Sequence, residues 1–111
     1  MAAVLPRLRK ICLALAGAEE TENFGHPFFR FKGKPFCIFH GTDDAHTIAV
    51  KVAKTEQGMF LEDPRFIRTP YIGQHGWVSL KATGRPDWEE VEELVKGSYR
   101  LVAGRRAPKS N

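Results

Sequence analysis

Leu5, Leu8, Cys12 and Leu15 recur at helical spacing, with Arg7, Arg9 and Lys10 on the other faces. Pro6 suits a first helical turn and Gly17 suits the position just past the end, so the pattern predicts a helix over 6–16. From Glu20 the period changes to two. "FFRFK" and "PFCIFH" are aromatic runs joined by Gly33-Lys34, which predicts a hairpin. "GTDDA" reads as a turn and "HTIAVKV" as a third strand, with Ile48, Val50 and Val52 on one side. "AKTEQGMFLED" reads as a short helix closed by Pro64, and "PYIG" and "GWVSLKA" as two more strands. Asp87 followed by Glu90 is a capping-box-like start. Trp88, Val91, Leu94, Val95, Tyr99 and Val102 then form the apolar stripe of a last helix over 87–102. The expected fold class is α+β, an antiparallel β-sheet meander with flanking helices in the order α-β-β-β-α-β-β-α.

Composition sharpens this picture little. The 111 residues form one domain over 1–103, and 104–111 ("GRRAPKSN" from Gly104) reads as a disordered basic tail. The apolar stretch after Arg7, Arg9 and Lys10 is too short for a signal-peptide core, and no run suffices to span a bilayer. Cys12 and Cys37 lie far apart in apolar surroundings and read as buried free thiols, which places the protein in the cytoplasm. The formal net charge is +4. Of the 17 basic residues, Arg105, Arg106 and Lys109 belong to the tail; the remaining 14 face 13 acidic residues, a net of only +1. Any basic surface must therefore come from local clustering.

Three features compete for chemistry. Gly73-Gln74-His75-Gly76 has the form of the loop by which KH domains clamp nucleotides, but that loop joins helices. Here strands are expected on both sides, so it reads as a glycine-bounded hairpin turn with Tyr71 and Trp77 packed across the strands and His75 exposed at the tip. His40, Asp43, Asp44 and His46 are acceptable metal ligands at a spacing that matches no zinc or calcium pattern, and they read as a polar turn. No metal, cofactor or catalytic constellation is expected, because no nucleophile-base pair stands out. The strand "RFKGK" is the most suggestive feature. Arg30, Lys32 and Lys34 are spaced by two, so all three should project from one face, as a row for successive phosphates or as a solvated edge.

"LRKICLALAGAEE", "FGHPFFRFKGKPF", "PRFIRTPYIGQHGWVSL" and "DWEEVEELVKGSYRLVA" together resemble the YjbR/MmcQ family of small bacterial proteins, in the same order from Leu5 to about Ala103. Phe24 stands where that family often has Trp, a change expected to preserve packing, and Ala16 stands where it often has Pro. The resemblance implies a CyaY-like or secretion-chaperone-like fold. It also implies DNA binding with paired hairpins as wings, and no catalytic residues to carry over. By motif match it singles out His26, Arg30, Lys34, Lys51, Tyr71, Trp77 and Tyr99, with His26 either fixing a turn or belonging to a site.

The leading expectation is a DNA-binding domain. Arg30, Lys32, Lys34, Lys51 and Lys81 would contact phosphate, while Tyr71, Gln74, His75 and Trp77 would reach bases or sugars. The rivals are a protein-interaction module or homodimer that uses an uncovered sheet face, and a small-ligand binder with a pocket of Phe29, Phe36, Tyr71 and Trp77.

Overall fold

Six antiparallel strands form one sheet, and three helices pack against only one of its faces. The structure is a computed structural model and describes residues 4–42, 45–82 and 86–104. The elements are α1 (Val4–Leu13), β1 (Ala18–Asn23), β2 (His26–Phe31), β3 (Lys34–Gly41), β4 (His46–Lys51), α2 (Lys54–Leu61), β5 (Phe66–Arg68), β6 (Trp77–Ala82) and α3 (Trp88–Ala103). The sheet runs β1-β2-β3-β4-β6-β5, so every strand but β5 lies beside its predecessor, and β5 is reached from β4 through α2.

The expected α+β meander is present, with one more strand than the pattern predicts. That strand is β1, "AEETEN", whose alternation is not hydrophobic. It is an edge strand, so only one row of its side chains meets the protein, and its glutamates suit a border that must not recruit further strands. Glu20 is held there by Arg9 of α1 through paired bonds of 2.6 and 2.9 Å. The first helix ends earlier than predicted. Its last turn tightens (Leu15 N–H to the Cys12 carbonyl), and Gly17 at φ +74° swings the chain into β1.

The core lies between sheet and helices. Phe29, Phe31, Cys37, Phe39, Ile48, Val50, Phe66, Val78 and Leu80 point to the helix side and meet Leu8 and Cys12 of α1 and Val91, Val95 and Tyr99 of α3. Each such aliphatic or aromatic side chain contributes about 1.5–3 kcal/mol when fully buried. Asp87 caps α3 by accepting from the Glu89 and Glu90 amides. The reciprocal half of a capping box is replaced, because the Glu90 carboxylate instead takes a two-pronged bond from Arg65 at 2.8 and 2.9 Å. Trp88 is half-buried against the core with the Arg7 guanidinium 5.1 Å from its ring centre. Cys12 and Cys37 are buried free thiols, and burial, reinforced by a mutual hydrogen bond, pushes the Cys12 thiol far above its ordinary value.

Two features tune the sheet. Both β1–β2 and β2–β3 turn through two residues of positive φ, Phe24-Gly25 (+54° and +80°) and Lys32-Gly33 (+49° and +81°). Such turns match the strand twist, yet a non-glycine residue there carries about 1–2 kcal/mol of backbone strain. The second feature is a bulge. Phe29 pairs with Cys37 but Arg30 pairs with Pro35, so Phe36 is left over and both Phe36 and Cys37 enter the core.

Candidate nucleic-acid interface

The face of the sheet away from the helices is composed by strand register, since directly opposed residues share a face. At one end lie Asn23, His26, His40, Thr47 and Lys81. The middle row is Thr21, Phe28, Ile38, Ala49, Ser79 and Ile67. At the far end lie Glu19, Arg30, Pro35, Lys51 and Trp77. The centre is apolar: Ile38, Ala49 and Trp77 are buried, with Phe28 and Ile72 against them.

The basic groups sit around this centre. The Arg30 guanidinium donates to Thr21 Oγ1 (2.9 Å), Asn23 Oδ1 (3.1 Å) and the Gly33 carbonyl (3.0 Å), and lies 5.1 Å from the Phe28 ring centre. Those three acceptors are neutral, so the group is held in place without a direct ion pair and with two N–H donors to spare, although Glu19 lies across the strand pair from it. Lys51 is positioned through its backbone. Its amide donates to Ser98 Oγ (2.8 Å), and that hydroxyl donates to the Phe36 carbonyl (2.6 Å). The α3 hydroxyl thus closes the gap in the β3–β4 ladder that the bulge opens. His26 and His40 stack at 4.2 Å between ring centres.

Arg9 pairs with Glu20, Arg65 with Asp63 and Glu90, and Lys96 with Glu92, all in the helical layer or at its junction with the sheet. Among the described residues no ion pair engages Arg30, Lys51 or Lys81, nor Arg7, Lys10, Lys54 or Arg100 of the helices. Glu56, Glu62, Asp63, Glu89, Glu90, Glu92 and Glu93 belong to α2, α3 or their flanks, whereas Glu19, Glu20 and Glu22 lie on β1, Glu19 directly opposite Arg30. On the uncovered face Arg30, Lys51 and Lys81 stand against Glu19, which leaves it a net positive charge.

Several expectations are corrected. Arg30, Lys32 and Lys34 do not form one row, because the strand stops at Phe31. Lys32 occupies the turn and folds back to 5.8 Å from the Phe31 ring, while Lys34 is paired with Phe31 on the helix side. "PYIG" is not a strand; its place is taken by β5 at Phe66–Arg68, so the β5–β6 connection is a loop containing a 3-10 turn at Gly73–His75. The Gly73–Gly76 stretch thus belongs to a hairpin connection, flanked by strands and not by helices. Gly76 is left-handed (φ +94°), with a would-be Cβ only 2.6 Å from the Val52 carbonyl oxygen. Gln57 of α2 holds this loop by donating to the Gly73 and Trp77 carbonyls at 2.7 and 3.1 Å.

Tyr71 does not pack on Trp77: it is 95% exposed, whereas Trp77 is 5% exposed. Trp77 therefore has no free ring face for a base, and the exposed members of the loop are Tyr71, Gln74 and His75. Phe24 preserves no packing either, being 95% exposed in its turn. The pocket of Phe29, Phe36, Tyr71 and Trp77 does not form, since the first two are fully buried on the helix side and the others stand apart from them. Of the proposed ligand set, His40 and His46 point to opposite faces, and Asp43 and Asp44 lie outside the described residues. No group of three or more His, Cys, Asp or Glu able to hold a metal ion occurs among the described residues. No described helix is long and apolar enough to cross a membrane. Sequence spacing could not assemble Arg30, Lys51 and Lys81, which come from three strands; only the period-two placement of each was visible.

A family model described as YjbR matches residues 13–101. Among solved structures, a Deinococcus radiodurans protein with a DUF419 domain is similar, at 20% identity and a TM-score of 0.78 over 95% of this chain and 82% of that one. A Pseudomonas syringae protein is similar at 13% identity and a TM-score of 0.72, over 91% of this chain and 99% of that one. At these identities the likeness is one of fold. No curated protein matches the chain.

Proposed function

The chain belongs to the YjbR family, whose model spans most of its length, and we propose that this member binds DNA, in the cytoplasm, through the uncovered face of its sheet. The observation that carries the reading is the set of cations on that face, Arg30, Lys51 and Lys81, which make no ion pair among the described residues and outnumber Glu19, the carboxylate placed on the same face. A polyanion is the ligand such a surface favours, because each phosphate neutralised releases condensed counterions. Arg30 is the strongest single contact: its fork is already oriented by Thr21, Asn23 and Gly33, so little side-chain entropy is lost on binding. His26, His40 and Thr47 add polar groups for sugars or base edges. The reading is non-catalytic, and the basic residues of 105–109 add a sequence-independent attraction.

The test is a salt titration of duplex-DNA affinity for the wild type, the K51A/K81A variant and a chain ending at Gly104. Two phosphate contacts contribute about −1.8 to the slope of log K against log salt. The double variant should flatten the slope by about that amount and remain folded, since both lysines place their ammonium groups outside the core. Binding that survives in the double variant and vanishes with the tail would refute the sheet-face reading. A wild type that fails to bind DNA at low salt would refute nucleic-acid binding altogether. The protein-interaction reading would then take its place.

A further inference from the structure

Resting on that reading, we infer that the preferred ligand is a single strand, gripped at opposite corners of the uncovered face by two aromatic side chains, Phe24 and Tyr71. Both rings are 95% exposed. Both residues also have left-handed backbone, with φ +54° and +69°, which favours glycine or asparagine. Phe24 leads the two-residue β1–β2 turn, a position suited to Asn or Gly. Tyr71 is the centre of a γ-turn closed by the Ile72 amide on the Pro70 carbonyl at 2.8 Å, and the positive-φ form of that turn is rare and strained. A large apolar ring in full solvent on a strained backbone is a double liability for folding. Strain of this kind concentrates where a ligand is held.

Register fixes where the two rings stand. Phe24 follows Asn23 and precedes His26, at the end of the face that carries His40 and Lys81. Tyr71 precedes Ile72, which packs on the Trp77 cluster at the other end. In sheet order they are four strand spacings apart, about 19 Å across the strands, and they lie at opposite ends along them. The diagonal between them crosses the face with Arg30 and Lys51 on one side and Lys81 on the other. Duplex DNA hides the faces of its bases in the stack; a single strand offers both phosphates and bare ring faces, and aromatic residues beside a cationic groove take it without sequence preference.

The experiment uses 12-nucleotide oligo(dT), oligo(U) and a 12-base-pair duplex, titrated by fluorescence anisotropy against wild type, F24N, Y71G and the double variant, with thermal melts of each protein. Expected is a wild type that prefers a single strand to the duplex, with the two homopolymers separating deoxyribose from ribose. Each variant should lose about 5- to 150-fold in single-strand affinity with an unchanged salt slope, since no phosphate contact is removed. Each should also melt no lower than wild type, because Asn and Gly relieve the strain. Unchanged single-strand affinity in both variants, with duplex binding intact, would overturn the aromatic grip and leave the cationic face standing. A wild type that prefers the duplex, or variants that melt lower, would likewise overturn it; no binding of any oligonucleotide would overturn both proposals.

Discussion

Ser98→Ala should be among the most damaging single-atom changes in this domain. Ser98 is fully buried, and its hydroxyl is the sole bridge between the Phe36 carbonyl and the Lys51 amide at the bulge, at 2.6 and 2.8 Å. Alanine fits the same space but leaves one buried acceptor and one buried donor without a partner. Each such group costs about 1–3 kcal/mol, so the pair should cost roughly 2–6 kcal/mol. That is a large part of the ~5–15 kcal/mol that holds a domain of this size together. It corresponds to a fall in Tm of at least about 8 °C at 4–8 °C per kcal/mol. Urea unfolding followed through the fluorescence of Trp77 and Trp88 measures the loss. Hydrogen exchange at the Lys51 amide locates it, because that amide should exchange much faster in the variant. The neighbouring Gly97→Ala is the control. Gly97 is helical, and a Cβ there meets nothing within 4 Å, so it should gain about 0.5–1 kcal/mol. A Ser98→Ala loss below about 0.5 kcal/mol, or an equally protected Lys51 amide, would refute the bridge and with it the account of how Lys51 is positioned.

Gly76→Val should destabilise by more than about 2 kcal/mol in a thermal melt, because it combines a left-handed backbone with a Cβ only 2.6 Å from the Val52 oxygen; a variant as stable as wild type would mean that the 69–76 loop is free to rebuild. The hydrogen bonds from Arg65 hold the Asp63 carboxyl below its ordinary value. A carboxyl depressed on folding stabilises above its ordinary range, near 3.9, and the effect is lost as pH falls through the folded value. Arg65→Gln should raise the Asp63 midpoint in a carboxyl NMR titration, and an unmoved midpoint would assign the shift elsewhere.

The amphipathic stripes of α1 and α3 determine themselves. Leu8 and Cys12, or Val91, Val95 and Tyr99, recur at the helical period, and a stripe that wide has to be buried. The alternation in β2, β3, β4 and β6 was equally legible, as were the Asp87 cap and a glycine-bounded turn at Gly73–Gly76, though not which of its two glycines is left-handed. Local pattern fails where an element touches the core through little of its surface. β1 is polar because it borders the sheet, and β5 is a three-residue strand that exists only because β6 lies beside it. The candidate site lies wholly on that second side of the ledger. Spacing suggested a row of Arg30, Lys32 and Lys34, but two-residue periodicity survives only while the strand does, and at Lys32 the chain turns. What joins Arg30 to Lys51 and Lys81 is register between strands remote in sequence, together with the packing of all three helices on one face. Which face stays open is decided by where the apolar stripes of the helices dock, a long-range property that no window of neighbouring residues contains.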